Sequence, residues 1–189
     1  MQLSQKPVPH RVAEAVSAPW QHDVLRAVRD LGLQDCWVAA GFVRNAVWDL
    51  LHGYGEPTPL ADIDVLFYLN APDDAYDEQA LEARLSHALP QHAWQVRNQA
   101  RMHHVNGFRP FTSSADAMCH WVETPTAIGL ALDREDRLQV NAPLGVADLL
   151  GLRLQPGPAF RGNLLPVYRR RVRAKRWAET WPNLRVLGF

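Results

Sequence analysis

Two aspartates one residue apart, Asp62 and Asp64, head the apolar run Asp62-Ile63-Asp64-Val65-Leu66-Phe67-Tyr68. Side chains alternate along a strand, so both carboxylates face one side. Their Cα atoms are then roughly 6.6 Å apart, close enough to converge on one divalent ion or a close pair of ions. Mg²⁺ prefers oxygen ligands, keeps several waters and completes its shell with substrate phosphates; Mn²⁺ is the alternative ion. Upstream, Val38-Ala39-Ala40-Gly41-Phe42-Val43-Arg44-Asn45 reads as a strand turning into a helix. Gly41 suits a tight turn with close backbone approach. The freed N–H groups of Phe42, Val43 and Arg44 would point at an anion, and Arg44 adds a charge-assisted bond to phosphate. Together these segments form a minimal arrangement for metal-assisted nucleotidyl transfer. Each has a plainer reading as well: acidic pairs cap turns or solvate edges, and a Gly-x-x-Arg is often a packing glycine with a surface arginine.

The remaining polar candidates are spread along the chain. Strand alternation over Trp94–Met102 puts Gln95, Arg97, Gln99, Arg101 and His103 on one polar face, either solvated or lining a groove where Arg101 and His103 reach phosphate. His103 and His104 would then point to opposite faces. Near the C-terminus, a helix from about Leu165 to Thr180 carries Leu164, Val167, Tyr168, Val172, Trp177 and Trp181 on one broad arc. Arg169, Arg173 and Arg176 lie opposite. Arg171 and Lys175 fall inside the apolar arc, where cations need partners. They either snorkel, form a structural ion pair, or close over bound phosphate.

The elements that must position these groups follow from periodicity and punctuation. Helices are expected near Arg11–Ser17, Trp20–Leu31 (Pro19 at its start, Gly32 at its cap), Phe42–Leu51, Asp77–Leu89, from Ser113 or Ser114 to Trp121, and Val146–Leu150. Strands are expected at Trp37–Ala40, Ile63–Leu69 and Trp94–Met102, with a hairpin of Ile128–Leu132 and Leu138–Ala142. Residues 1–9 read as a loose lead-in, and Asn70-Ala71-Pro72-Asp73-Asp74 as a break after the second strand. Strands alternating with helices, then a hairpin, imply an α+β fold: a mixed sheet with helices packed on it. The expected layout is one domain over residues 1–189, with a core at about 20–145 and a C-terminal helical extension at about 146–189.

The chain has 189 residues, 47% of them apolar, which is enough for a real core. Basic and acidic side chains balance at 20 each, so no global field draws the protein onto nucleic acid or membrane. Cys36 and Cys119 lack metal-ligand spacing and fit a reduced, cytoplasmic protein. No apolar run approaches membrane length.

The segments Trp37–Asp49, Leu60–Val65, Val96–His103, Glu123–Gly129 and Ala142–Gly145, with Arg171, Lys175-Arg176-Trp177 and Trp181-Pro182, together resemble the DNA polymerase β-like nucleotidyltransferase superfamily. More narrowly, they resemble a small bacterial nucleotidyltransferase family over roughly residues 20–187. The resemblance implies the superfamily fold, with Mg²⁺ and a nucleoside triphosphate in a cleft and an acceptor it does not specify. On it, Asp62 and Asp64 hold metal, and Gly41, Phe42 and Arg44 cradle the triphosphate. Asn98 or Glu123 completes the metal shell, while Arg101, Arg171 and Lys175 neutralise phosphate charge. The chain departs from the superfamily pattern twice. Phe42 replaces a second small residue and narrows the room for a triphosphate. The third carboxylate is represented by Asn98, which cannot act as a base, or by Glu123. Two other functions are weighed beside transfer: a nucleotide-binding module without turnover, and a nucleic-acid-binding protein using Arg169, Arg170, Arg173 and Arg176 as a phosphate-tracking stripe.

Overall fold

The structure is a computed structural model that describes residues 8–71 and 77–189. Most of the expected lead-in, and Pro72, Asp73 and Asp74 of the expected break, lie outside the described residues. The chain begins with α1 (His10–Ala15) and α2 (Pro19–Arg29). Proline occupies the first turn of α2, and the Gln21 side chain accepts from the Ala18 amide. Both features favour a helix start at that point. Val24, Leu25 and Val28 form its buried stripe.

The centre is a five-stranded sheet ordered β3-β2-β1-β4-β5. It comprises β1 (Trp37–Ala39), β2 (Ile63–Phe67), β3 (Trp94–Asn98), β4 (Gly129–Leu132) and β5 (Leu138–Asn141). β2 and β3 run parallel and the other pairs antiparallel, so the sheet is mixed. The parallel pair is joined through α4 (Glu78–Ala88), as parallel neighbours require a crossover. Alternation along β2 sets the two faces. Ile63, Val65 and Phe67 enter the main core with Val38, Val96 and Leu130. Asp64 and Leu66 face the other way; Leu66 packs with Trp37, Ala39, Met118 and Ala127. Asp64 is paired in register with Ala39, the last residue before the turn into α3 (Gly41–His52). The register therefore places the second aspartate beside the start of that helix.

β3 is shorter than the alternation suggests. It ends at Asn98, whose side-chain oxygen accepts from the Ala100 amide and starts α5 (Gln99–Met102). An asparagine offering a cap competes with strand continuation. Gln99, Arg101 and His103 consequently leave the strand face. His103 and His104 lie in a 3-10 turn, His103–Asn106, with ring centroids 3.7 Å apart, rather than on opposite faces. α6 (Ser114–Met118) follows, capped by Ser113.

The C-terminal region also differs. After α7 (Ala147–Leu150), a two-residue strand β6 (Arg153–Leu154) pairs in parallel with β7 (Arg185–Val186) near the end of the chain. The expected long helix is two: α8 (Leu165–Lys175) and α9 (Trp177–Thr180). They break at Arg176, which adopts φ +51°. The break redirects Trp177 and Trp181 onto Trp48 of α3, with ring centroids 6.2 and 5.1 Å from it. Burying two indoles outweighs continuing one helix through an exposed arginine.

Candidate active site

The turn from β1 into α3 is strained at Ala40 rather than opened by Gly41. Ala40 has φ +52° and ψ −119°, while Gly41 begins the helix. Such a conformation costs a non-glycine residue about 1–3 kcal/mol and persists only where the surroundings hold it. A Cβ on Gly41 would lie 3.4 Å from Leu60 and 3.6 Å from the Arg44 guanidinium, so its hydrogen leaves the cleft floor open. No side chain caps α3. Among the described residues the first amides, at Gly41, Phe42 and Val43, have no bonded partner. The first turn of α3 therefore retains anion-binding capacity.

A polar cleft of about 220 Å³ runs along that turn and is lined by Gly41, Asp62, Asp64, Arg171, Lys175 and Trp177, among others. Asp62 and Asp64 are half-buried, and neither side chain has a hydrogen bond or ion pair among the described residues. Burial, and then the charge of Asp62, push the Asp64 carboxyl up to about 6; Arg44, Arg171 and Lys175 pull the other way. Two carboxylates without bonded partners, beside free amides and a lysine, fit a divalent cation bridging to phosphate. Among the described residues no third His, Cys, Asp or Glu joins them as a ligand cluster.

The structure places the other sequence candidates in distinct roles. Phe42 points into the core, edge-on to Trp20 at 5.8 Å, and does not narrow the cleft. Arg44 is buried at 7% exposure rather than at the helix surface. Its guanidinium lies 4.7 Å from the Trp177 ring centroid and 5.4 Å from that of Trp48. It donates to Asn45 Oδ1 at 2.8 Å and to Thr126 Oγ1 at 3.4 Å. Burial lowers its pKa to about 10 despite the nearby Glu123 carboxylate.

Asn98 is committed to the backbone: it accepts from Leu69 and Ala100 and donates to the Leu69 carbonyl. That side chain ties β3 to the segment after β2 and has no lone pair directed at the aspartates' cleft. Arg101 sits on α5 and lines neither cleft described here. Glu123 is 1% exposed, and its Oε1 accepts from Arg171 Nε at 2.7 Å. Burial raises its pKa, opposed by Arg171 and Arg44. Arg171 thus makes the structural ion pair that its place in an apolar arc demands, with a glutamate as partner. Lys175 is exposed and has no ion pair among the described residues. The outer arginines of the stripe are partly engaged: Arg169 donates to the Gly188 carbonyl, and Arg176 pairs with Glu179.

A second cleft, of about 240 Å³, meets the first at Ala40, Asp64 and Arg171, and Glu123 lines it. Glu123 is held there by a bridge to Pro156. Gly157 anchors the bridge, because a Cβ at that position would fall 2.1 Å from the Trp121 carbonyl oxygen. Two contributors escape sequence reasoning. Asp49 accepts from Thr58 and from Trp181 Nε1, joining α3 to the cleft-lining loop and to the C-terminal arm. Trp177 supplies the ring on which Arg44 lies. The signal for each is its place in a segment that carries the family resemblance, Trp37–Asp49 for Asp49 and Lys175-Arg176-Trp177 for Trp177.

No helix among the described residues is long and apolar enough to cross a membrane. No curated protein matches the chain. Among solved structures, one described as an NMR structure revealing a CCA-adding enzyme head domain is 36% identical. The match covers 97% of each chain at a TM-score of 0.82. A CCA-adding enzyme in complex with CTP superimposes at a TM-score of 0.60 and 14% identity, over 98% of this chain and 44% of that one. The Thermotoga maritima CCA-adding enzyme complexed with tRNA does so at 0.57 and 16%, over 93% and 42%. The chain therefore spans well under half the length of these two enzymes, which share its fold. A family model described as nucleotidyltransferase matches residues 26–186, and the chain belongs to that family.

Proposed function

We propose that the protein is a metal-dependent nucleotidyltransferase that moves a nucleoside monophosphate from a nucleoside triphosphate to a hydroxyl acceptor. The observation that carries this reading is the unpartnered Asp62–Asp64 pair, set beside the uncapped amides of α3 in a cleft edged by Lys175. Asp62 and Asp64 would hold Mg²⁺, or Mn²⁺ in its place. The ion, when bound, neutralises phosphate charge and acidifies the attacking hydroxyl. The Gly41–Val43 amides and Lys175 bind the triphosphate oxygens. Arg44, which lines the floor of the cleft with its guanidinium against Trp48 and Trp177, adds positive charge on the phosphate side.

In this reading Glu123 accepts the acceptor's proton. Its Oε1 is held by Arg171, and its other oxygen has no bonded partner among the described residues. The acceptor oxygen bonds to the α-phosphorus. The bond to the bridging oxygen breaks, and pyrophosphate leaves with the electron pair. Positioning and charge stabilisation supply most of the rate. The binding of CTP by an enzyme of the same fold supports the choice of ligand class.

Isothermal titration of nucleoside triphosphates with and without Mg²⁺ tests the reading. Mg²⁺-dependent binding that Asp62→Ala and Asp64→Ala each weaken by about a hundredfold is the expected result. Binding indifferent to Mg²⁺ or to both substitutions overturns it. The lack of a third acidic ligand favours a second reading, a nucleotide-binding module without turnover. Tight Mg²⁺–nucleotide binding with no pyrophosphate release over a broad acceptor panel would select that one.

A further inference from the structure

The second cleft differs in chemistry from the first although the two meet at Asp64. Its far wall is aromatic: the His120 ring lies 4.9 Å from that of Phe108 and 5.0 Å from that of Phe111. Met102 and Val105 complete the apolar side, with Val105 standing 69% exposed at the rim. Of its charged groups, Asp64 and Arg171 belong to the junction with the polar cleft, and Glu123 is bonded to Arg171 there. Arg171 is the one lysine or arginine among the described lining residues, and it is already paired with Glu123. Nearby Arg109 is held by both oxygens of Asp116. A polyanion would find no free cation along this wall, whereas a neutral ring would find three rings to lie against. The space of about 240 Å³ is below the usual range for drug-sized ligands, so the occupant is fragment-sized.

We infer that the aromatic cleft is the acceptor subsite, and that the acceptor is a small, uncharged molecule with a planar ring and a hydroxyl. The ring lies against Phe108, Phe111 and His120, and the hydroxyl reaches the junction where Asp64 and Glu123 face it. This inference rests on the nucleotidyl-transfer reading and names the other substrate of that same site. The bond changes are those given above: the hydroxyl oxygen gains phosphorus, Glu123 gains the proton and pyrophosphate departs.

The test uses the full chain with saturating Mg²⁺ and an α,β-methylene nucleoside triphosphate, which cannot turn over. Adenosine is the neutral probe, and a single-stranded RNA heptamer the charged one. Val105→Trp fills the rim from an exposed position, and Val105→Ser serves as the control. Adenosine should bind alongside the analogue in the millimolar range. Val105→Trp should weaken adenosine at least about tenfold and leave the analogue's affinity within about twofold, with Val105→Ser close to wild type for both. Equal weakening of the analogue would assign the cleft to the donor's own base and overturn the inference. So would competition between adenosine and the analogue, or no adenosine binding. Heptamer binding much tighter than adenosine, and lost in Val105→Trp, would make the acceptor a polynucleotide and overturn it too. Failure of the parent reading looks different: analogue binding indifferent to Asp62→Ala and Asp64→Ala, whatever adenosine does.

Discussion

Asp64 and Glu123 line the same cleft, and burial raises the pKa of each, yet the protein treats them in opposite ways. Glu123 is sealed at 1% exposure and answered by Arg171 at 2.7 Å, with Arg44 near enough to bias its charge. Asp64 feels the same cations, Arg44, Arg171 and Lys175, but none of them bonds to it, and the like charge of Asp62 opposes them. A buried charge that is compensated serves as framework, because removing its partner costs more than it returns. A carboxylate left without a bonded partner in an open cleft keeps its lone pairs available to a ligand. The contrast separates a paired half of the site, Arg44, Arg171 and the indoles with the Glu123 oxygen that Arg171 holds, from an unpaired half, Asp62, Asp64, Lys175, the α3 amides and the second Glu123 oxygen.

Substituting either carboxylate is the strongest way to break that division. Glu123→Ala strands Arg171 against Arg44 and should cost about 3 kcal/mol, read as a fall in Tm of roughly 8 °C. No loss of stability would mean that the ion pair is incidental. Asp64→Asn should do the reverse near neutrality. An unfolded aspartate releases its proton near pH 4, and the folded one near pH 6. Between those values the folded chain binds more protons, so the Asp64 contribution to stability is full below pH 4 and is lost as pH rises through 6. Asp64→Asn should therefore raise Tm by about 5 °C at pH 7.5, with the gain closing toward pH 4; an offset equal at both pH values would refute the burial argument. The mildest test is Lys175→Ala. This exposed, unpaired cation should change Tm by no more than about 1 °C, yet weaken Mg²⁺–nucleotide binding about fivefold in a salt-sensitive manner.

Much of this arrangement is legible from residue order, for local reasons. Asp-x-Asp at a strand start, a small-residue turn and a helix starting with Gly41 are short-range patterns, and the sheet preserves them by pairing Ala39 with Asp64. The mixed sheet itself follows from alternating strands and helices and a hairpin. What sequence reasoning misplaces depends on long-range competition. Asn98 ends β3 because its amide caps the next turn. Phe42 turns inward because Trp20 offers it an edge. Arg44 goes under cover because Trp177, more than a hundred residues downstream, closes over it. Helical phasing sets Lys175 beside Arg171 in one apolar arc; the left-handed kink at Arg176 separates the buried indoles from the exposed lysine.

The C-terminal arm has a temporal meaning as well as a spatial one. Ala40, Gly41, Asp62 and Asp64 are translated early and can find their sheet partners once the β4–β5 hairpin has formed. The lid over Arg44 and the Trp181 clasp on Asp49 exist only after Trp177 and Trp181 have emerged from the ribosome. During synthesis the aspartates are translated before the wall that edges their cleft, so a nascent chain still lacking α9 carries the acids without a finished cleft.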